Sequence, residues 1–464
     1  MDSNAFIDRL FDRARAAGFE ACEAYLTECS AFQVNVNAGE ITRYNVSESR
    51  ELGFRGLWRG RMGCASTQAL DDEAAEMLVS AARSGAELTE GEQSERIFEG
   101  SPAYPAFDGA HPEIAAMTAV EKIALARELE RRTLDFDPRI ASVRACALYT
   151  GEARTRLINS RGLDLYTHRD RLEAYVSPVA RSGERIGTAG RDACAPNPAA
   201  LDLDRLAREA AGEAVAFLDA QSLPSGHYPV LLRPDAAAQL LETFASLFSG
   251  DAARKGLSLF RSREGERVAA PCVTLVDDPL LPEGYASRAF DGEGVASRAT
   301  RVVEDGVLNT LLHNLRTAQW RGVETTASAA RALCAGPITV SPSNFYLAPG
   351  ALDAPALYAQ VGNALLVTEL MGLHSGANPV SGDFSLGAKG FLIRNGRIDR
   401  AVNGITIAGN FTAMLREIEA VGSDLRFGAS RFASSTILVR SLSLAGDAAA
   451  SGGNSSQYCP VSSA

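Results

Sequence analysis

The chain has 464 residues, of which 46% are hydrophobic and 22% charged, a composition typical of soluble globular proteins. Its formal net charge is −11, and its 46 basic residues, all but three of them arginine, are scattered among acids, so no nucleic-acid partner is expected. No stretch reaches the roughly 18 apolar residues of a membrane-spanning helix, since Glu369 interrupts the nearest one, and no membrane association is expected.

The first 222 residues predict a mixed α/β domain. The opening "MDSNAFIDRLFDRARAAG" places its apolar residues on one helical face, which indicates a surface helix and not a secretory signal, so we expect a cytoplasmic protein. Residues 18–67 alternate apolar and polar side chains, as strands do, with a turn at Asn37-Ala38-Gly39. The glycine-rich "GFRGLWRGRMG" is not followed by the helix start and GK[ST] of a phosphate-binding loop, so a twisted hairpin is predicted.

Helices and strands continue to a predicted boundary near 222–227. Residues 72–87 predict a helix, and Thr118 with Glu121 forms a capping box that opens another, extending to about Leu134. Residues 139–192 predict short strands with arginine-rich polar faces, and "LDRLAREAAGEAVAFLDA" predicts an amphipathic helix. The turn-forming cluster "QSLPSGHYP" then indicates a linker.

Residues 227–446 predict a second, strand-rich domain with mostly antiparallel sheets. It begins with the strand "YPVLLR" and a helix from Pro234, and it ends with the helix "NFTAMLREIEAVG" and the strand "STILVRSLSLAG". Because helices and strands do not alternate regularly, the fold class is predicted as α+β with two domains. Residues 447–464 are small, polar and aperiodic, which predicts a disordered tail.

The chemically reactive side chains form no complete catalytic or metal-binding motif. No two of the five histidines lie within fifty residues of each other, so the closely spaced imidazoles of a zinc protease helix are absent. The eight cysteines contain no CxxC pair and are expected to be free core thiols in a reducing compartment. No GxSxG nucleophile elbow is present.

Two polar stretches are candidates for a binding cleft. Asp291 and Glu293 in "FDGEG" suit either a turn or a cleft wall, and they could also hold a cation in an enzyme of another class. The stretch "GANPVSGDFSLGAKGFLIRNGRI", residues 376–398, suits either a turn followed by a strand or a binding wall. The residues predicted to lie near a substrate there are Asn378, Ser381, Gly382, Asp383, Phe384 and Ser385.

Several long motifs, in order, resemble the TldD/PmbA family, formerly described as modulators of DNA gyrase. They are "VNVNAGEITRYNVSESRELGFRGLWRGRMGCAST", "LFSGDAARKGLSLF", "SRAFDGEGVASRATRVVEDGVLNTLLHNLRTA" and "GANPVSGDFSLGAKGFLIRNGRIDRAVNGITIAGNFTAML", and the likeness spans about residues 5–446. The resemblance implies a cytoplasmic zinc protease built from two kinds of subunit. TldD-like subunits carry HExxxH and a C-terminal cysteine as metal ligands, whereas TldE (PmbA-like) subunits keep the fold without them.

This sequence departs from the catalytic pattern at each implied ligand. With the shared Gly250-Asp251 aligned, the two histidines fall at Leu241 and Ser246, and only the glutamate is retained, as Glu242. The segment 421–435 contains no cysteine. We therefore expect no catalytic residue, metal or cofactor in this chain.

The resemblance implies a TldE-like subunit that pairs with a zinc-bearing TldD-like subunit and helps to form a cleft for extended or unfolded peptides, including peptide natural-product precursors. Such peptides commonly add to an exposed strand edge. Two alternatives stay open. One is a stand-alone, self-associating homodimeric scaffold that binds a peptide or small ligand without catalysis, and the other is an independent enzyme using Asp291 and Glu293 with a cation. A direct role on gyrase or DNA is disfavoured by the acidic balance.

Overall fold

The computed structural model describes residues 2–88, 95–282 and 284–447. Its helices are α1 (Ser3–Ala16), α2 (Asp72–Leu88), α3 (Pro112–Ala115), α4 (Ala119–Asp135), α5 (Leu203–Ala216), α6 (Pro234–Phe244), α7 (Gly250–Arg254), α8 (Leu315–Arg321), α9 (Ala354–Val361), α10 (Leu373–Gly376) and α11 (Phe411–Arg416). Short 3₁₀ turns occupy Pro198–Ala200, Phe217–Asp219 and Ala245–Phe248. Of the tail predicted at 447–464, all but Asp447 lies outside the described residues.

The strands of the first half are β1 (Ala21–Asn37), β2 (Glu40–Trp58), β3 (Arg61–Thr67), β4 (Ile140–Asn159), β5 (Asp164–Ser182), β6 (Arg185–Thr188) and β7 (Arg191–Ala195). Those of the second half are β8 (Gly226–Leu232), β9 (Leu275–Asp277), β10 (Thr300–Glu304), β11 (Val307–Leu308), β12 (Ala329–Arg331), β13 (Ile338–Val340), β14 (Phe345–Leu347), β15 (Ala364–Met371), β16 (Asp383–Arg394), β17 (Arg397–Asn410), β18 (Ile418–Val421), β19 (Arg426–Phe427), β20 (Phe432–Ser434) and β21 (Ile437–Gly446).

The first half is a fully antiparallel sheet covered by helices. Its strand order is β3-β2-β1-β4-β5-β6, with β7 beside β5. Helices α1 and α2 bury apolar side chains such as Leu10 and Leu78 against one end of the sheet, around Phe54. Helices α4 and α5 cover the other end, where Leu129 and Leu206 belong to a separate apolar cluster. The amphipathic helices and alternating strands thus form two small cores on one long sheet.

The second half contains a closed ring of five strands and a second sheet. The ring runs β17-β16-β15-β8-β21 and closes through β17 and β21, and only its β15–β8 pair is parallel. The second sheet has the order β11-β10-β9-β14-β20-β19. Helix α6 packs against β15 of the ring and β20 of the second sheet, inside the largest apolar cluster of the described residues. The α+β class with mostly antiparallel sheets is confirmed, whereas the division at 222–227 stays a prediction.

Glycine-rich "GFRGLWRGRMG" forms the predicted hairpin, with Trp58 of β2 paired to Arg61 of β3. Its glycines serve close packing between chain segments. A side-chain carbon at Gly53 would lie 2.0 Å from the Cys334 carbonyl oxygen of the second half, and one at Gly63 would lie 1.7 Å from the Ala82 carbonyl oxygen. The hairpin therefore helps to bring the two halves together and does not cradle a phosphate.

Three expectations about local structure are wrong. Most of the predicted short strands over 139–192 are two long ones, β4 and β5, of 20 and 19 residues, which a tight turn at 160–163 joins; only β6 and β7 are short. The helix predicted from "NFTAMLREIEAVG" ends at Arg416, and its remainder forms β18, which pairs with β21. Four of the seven described cysteines are exposed and not in the core: Cys29, Cys64, Cys194 and Cys272.

All seven described cysteines are free thiols. Among the described residues, no helix combines the length and the apolar character that crossing a bilayer requires.

Candidate functional site

Helix α6 carries the positions at which metal ligands are implied. Pro234 occupies its first turn, where backbone amides have no acceptor within the helix, so the amide hydrogen that proline lacks is not needed. Asp235 complements the positive end of the helix dipole. Leu241 and Phe244 face the core, and the Phe244 ring stacks on Phe411 with centroids 4.6 Å apart. Apolar packing on this side fixes the helix and leaves its other side facing outward.

The side chains at the implied ligand positions do not fit a zinc ion. Leu241 is buried and has no lone pair, and Ser246, at the surface, offers only a neutral hydroxyl. Desolvation raises the pKa of the nearby Glu242 carboxyl, and the charge of Arg431 opposes that rise. Because protein zinc sites use at least three nitrogen, sulfur or carboxylate ligands, Glu242 alone cannot hold the metal.

One group of metal-ligating side chains does converge among the described residues, on β4 and β5 and away from α6. Glu152, His168 and Asp170 place ligand atoms within 4.8 Å of one another. Two of the three side chains also have partners outside the group, since Arg154 lies 2.5 Å from Glu152 Oε1 and the His111 amide donates to Asp170 Oδ2 at 2.7 Å. His168 Nε2 lies 3.0 Å from the same Glu152 oxygen. Glu152 Oε1 and His168 Nε2 are buried and have no hydrogen-bond partner among the described residues, so the group is only partly satisfied.

Residues 376–385 form a closed turn that leads into β16. The Gly382 amide donates to the Asn378 carbonyl at 2.9 Å, and the Asn378 amide donates to the Asp383 carbonyl at 2.8 Å. Gly382 has a φ of +82°, a backbone conformation that side-chain-bearing residues adopt only with strain. Asn410 Nδ2 donates to the Ser381 carbonyl and to Asp383 Oδ1, both at 2.9 Å, which ties the turn to the start of α11.

This turn exposes only some of the residues predicted to line a cleft. Asn378, Asp383 and Ser385 are exposed and Ser381 is partly so, whereas Gly382 and Phe384 are buried. Phe384 packs against Phe244, with ring centroids 6.3 Å apart. The backbone here is also paired, with β17 on one side and by a bridge to Ala377 on the other. An added peptide strand therefore has no free edge at Phe384, and the exposed side chains remain the candidates.

Asp291 and Glu293 do not lie on a cleft wall, and this expectation is corrected. Asp291 is 1% exposed, and its carboxylate accepts the amides of Glu293 at 2.9 Å, Val295 at 3.0 Å and Ala329 at 2.9 Å. Glu293 is 6% exposed and accepts the amide of Leu315, the first residue of α8, at 2.8 Å. Three backbone amides thus bind the Asp291 carboxylate and one binds that of Glu293, and the burial of both side chains removes them from the surface at which a substrate would be contacted.

The acid pair belongs to a buried charge network that joins the two halves. Glu23 of β1 lies 3.3 Å from Arg55 of β2 and also pairs with Arg331, whose Nε donates to the Gly292 carbonyl at 2.7 Å. Burial, reinforced by the charge of Asp291, raises the pKa of Glu293 to about 7. We call this network, defined by Glu23, Arg55, Asp291, Glu293 and Arg331, the paired joint.

A second contact between the halves encloses a cavity of about 280 Å³ that sequence reasoning did not predict. Arg169 and Arg171 of β5 line it on one side and Tyr285 on the other. The Arg171 guanidinium lies 4.1 Å from the centre of the Tyr285 ring, and Arg169 Nη1 donates to the Tyr285 carbonyl at 3.4 Å. The available signal was "HRDR" at 168–171, since arginines two apart on a strand share a face.

Two more arginines, Arg288 and Arg431, act electrostatically on Arg169 in this cavity, which we call the arginine cavity. Burial, together with the charges of Arg171, Arg288 and Arg431, lowers the pKa of Arg169 to about 10. Arg288 Nη2 donates to the Ala327 carbonyl at 3.3 Å, and Arg431 Nη1 donates to Ser341 and Pro342, each at 3.3 Å. Within the described ranges none of the four arginines forms an ion pair. Arg169 and Arg171 line the cavity together with one acid, Asp170, so its lining carries an excess of positive charge in an acidic protein.

Family models match most of the chain. The PmbA/TldA metallopeptidase C-terminal domain matches residues 225–446, the central domain of the same family matches residues 112–218, and its domain 1 matches residues 22–86.

Individual relatives agree with these matches. A "Metalloprotease" of Methanothermobacter thermautotrophicus is 30% identical over 60% of this chain and 62% of its own length. A "Metalloprotease PmbA homolog" of Haemophilus influenzae is 28% identical over 94% of both chains. A solved structure from Thermotoga maritima, named for a suggested action on DNA gyrase, superposes with a TM-score of 0.89 at 30% identity and covers 95% of this chain and 100% of that one.

Proposed function

The chain belongs to the PmbA/TldD metallopeptidase family, and from this premise we propose that it is the TldE-like subunit of a two-subunit zinc metalloprotease. In this proposal the chain itself carries no metal, and a TldD-like partner supplies the zinc and the catalytic groups. The complex works in the cytoplasm on extended or unfolded peptides, including precursors of peptide natural products.

The observation that carries the proposal is the composition of α6 at the implied ligand positions. Leu241 is packed in the apolar core, where a histidine would bury a polar imidazole that needs a hydrogen-bond partner or a metal. Glu242 is the one side chain there that could act as a base, and without a bound metal it has no acidified water to deprotonate. A chain that keeps the family fold but lacks these donors fits a supporting role in catalysis.

The long strand β2 offers a surface for the partner. Its first half, residues 40–51, pairs with β1 on one side only, and it exposes Ile41, Tyr44 and Val46 at 39%, 52% and 57%. An exposed apolar strand edge readily pairs with another chain, so the presence of this edge supports an association site on β2. A second copy of this chain could use the same edge, which is the arrangement that the alternative, a homodimeric scaffold, requires.

The exposed side chains of the 376–385 turn are proposed as part of the peptide cleft. Asn378, Asp383 and Ser385 combine amide, carboxylate and hydroxyl groups on a turn held rigid by Asn410. Such groups can bond to a peptide backbone independently of its sequence, which suits a protease that accepts varied unfolded substrates.

Coexpression with a TldD-like subunit tests the proposal. We expect the two chains to co-purify, and the complex to cleave an unfolded peptide in a chelator-sensitive way, whereas this chain alone neither cleaves it nor retains stoichiometric zinc. A Glu242→Gln variant should leave the activity of the complex unchanged, because the catalytic base lies in the partner. A Val46→Lys variant should weaken co-purification, with the exposed Glu48→Gln as its matched control on the same strand.

Two results would overturn this assignment. One is chelator-sensitive cleavage by the isolated chain that disappears in Glu242→Gln. The other is a stable homodimer that binds peptide but neither co-purifies with a TldD-like subunit nor changes its activity, which would establish the scaffold alternative.

A further inference from the structure

The arginine cavity is lined by both charged and apolar side chains. Arg169, Asp170 and Arg171 are the charged ones, and the Tyr285 ring lies against Arg171. The remaining lining is mostly apolar and comes from both halves of the chain: Phe107, Ala195, Pro196, Leu281, Pro282 and Phe427. A ligand that fills this space must present a negative group on one side and an apolar group on the other.

The nearby acids offset part of the arginine charge but form no ion pair with these arginines among the described residues. Asp170 lines the cavity, but its Oδ2 accepts the His111 amide at 2.7 Å and its Oδ1 lies 3.3 Å from His168 Nε2. Burial raises the pKa of Glu173, which is the acid bonded to the Tyr285 hydroxyl, so this carboxyl is less readily ionised than usual. Asp192 accepts the Ala429 amide at 2.7 Å.

The depressed pKa of Arg169 has a direct physical meaning. Arginine stays protonated in proteins, so a lowered pKa means that its cation is destabilised by burial and by the neighbouring cations. An anion placed among these groups relieves the destabilisation, and a planar carboxylate matches the fork of a guanidinium with two parallel hydrogen bonds. The excess of positive charge around Arg169 therefore favours a carboxylate ligand.

The size of the cavity limits the ligand. About 280 Å³ lies just below the roughly 300–1,000 Å³ of pockets that enclose drug-sized molecules, so it accommodates one residue of a peptide and not a folded segment.

We propose that the arginine cavity binds the C-terminal residue of a peptide, with the terminal carboxylate between Arg169 and Arg171 and an apolar side chain against Phe107 and Phe427. The site lies within one chain, at the contact between its halves. The identity of the ligand as a peptide rests on the proposed function, whereas the recognition of a carboxylate beside an apolar group rests on the cavity alone.

Fluorescence anisotropy of N-terminally labelled peptides tests this site in the isolated full chain. One peptide ends in leucine with a free carboxylate, and a matched peptide ends in leucine amide. Because hydrogen bonds between charged groups contribute about 1.5–3 kcal/mol, the amide should bind about 10- to 100-fold more weakly. Arg171→Gln should bind both peptides equally weakly, and Arg171→Lys, which keeps the charge but loses the fork, should fall between.

Arg416→Gln is the matched control, because Arg416 is exposed at the end of α11 and forms no ion pair among the described residues. It should retain the preference for the carboxylate. Circular dichroism of Arg171→Gln establishes that it folds, and Arg169→Gln provides a second, independent loss of charge. Equal binding of the two peptides by the wild-type chain, or binding of neither, would overturn the proposal.

Two further arms identify the source of the negative charge. A leucine amide peptide with an internal glutamate is compared with its glutamine counterpart, and inorganic phosphate is used as a competitor. Preference for the internal glutamate alone, or full displacement by phosphate at equal concentration, would reassign the cavity and refute terminal recognition. These readouts are separate from co-purification with a TldD-like subunit, so either proposal can fail while the other survives.

Discussion

Two of the contacts between the halves of the chain are rich in arginine, yet the arginines in them have different kinds of partner. In the paired joint, Arg55 and Arg331 share Glu23, and all three side chains are almost wholly buried. In the arginine cavity, Arg169 and Arg171 line a solvent-accessible space and contact an aromatic ring and a carbonyl. Asp170 also lines this cavity, but neither arginine forms an ion pair among the described residues. Arginine thus joins the two halves through buried ion pairs in one place and has no ion-pair partner among the described residues in the other.

The difference separates structural charges from ligand-binding ones. A buried ion pair contributes little net stability, but removal of one partner strands the other in a low-dielectric interior. A cluster of unpaired cations costs stability as it stands, and the loss is recovered when an anion binds. Substitutions in the two places should therefore differ in size and even in sign.

Arg331→Met breaks the paired joint and should have the largest effect. Glu23 would keep Arg55 but lose its second cation, and the Gly292 carbonyl would lose its 2.7 Å hydrogen bond. We expect the free energy of unfolding in urea to fall by about 3–5 kcal/mol. The control is Arg440→Met, which removes an exposed pair with Glu419 and should cost less than about 1 kcal/mol. Similar losses in the two variants would mean that burial does not distinguish these pairs.

Glu293→Gln tests whether burial of an acid in the paired joint lowers the stability of the protein as pH rises. The pKa of Glu293 is raised from 4.5 to about 7, so the folded state binds this proton more tightly than the unfolded state does. Its contribution to stability is therefore complete below about pH 4.5 and is lost as pH rises to about 7. Glutamine can still accept the Leu315 amide but does not titrate.

We expect the stability of Glu293→Gln relative to the wild type to increase between pH 4.5 and pH 8, by up to about 3 kcal/mol. Thermal unfolding across this range measures the difference. Glu48→Gln on the exposed part of β2 serves as the control and should show no such trend. Parallel curves for wild type and Glu293→Gln would show that this carboxyl does not titrate differently on folding.

The sequence predicted those parts of the fold that depend on near neighbours. The capping box of Thr118 and Glu121 is present at the start of α4, because both partners lie within four residues. The lengths of β4 and β5 were underestimated, since β4 pairs with β1, more than a hundred residues away along the chain, and β5 pairs in turn along β4. The end of α11 was misplaced for the same reason, because β21 draws Ile418–Val421 into a strand.

The sites show the same division between local and distant information. The turn-forming character of "FDGEG" was visible, but its burial depends on the Ala329 amide, 38 residues further along the chain. The one-sided spacing of Arg169 and Arg171 was also visible in the sequence. The lack of acidic partners was not, because it depends on which loops of the second half face β5.

A peptide with a free C-terminal carboxylate should moderately increase the free energy of unfolding of the protein by binding in the arginine cavity. At a free concentration ten times its dissociation constant, a ligand that binds only the folded state adds about 1.4 kcal/mol to the free energy of unfolding. We expect the thermal midpoint of the wild type and of Arg331→Met to rise accordingly when the peptide is added, and that of Arg171→Gln to stay unchanged. Stabilisation of Arg171→Gln by the same peptide would place its binding site elsewhere.

Of the four effects predicted here, that of Arg169→Gln without ligand should be the smallest. Its size and sign, set against those of Arg331→Met, distinguish the arginine cavity from the paired joint. The substitution removes a 3.4 Å hydrogen bond to the Tyr285 carbonyl, but it also relieves repulsion from Arg171, Arg288 and Arg431. These opposing contributions should leave the free energy of unfolding within about 0.5 kcal/mol of the wild type. Because salt screens the repulsion, raising its concentration should favour the wild type over the variant. A loss as large as that of Arg331→Met would mean that Arg169 is a structural charge whose partner is part of the folded chain.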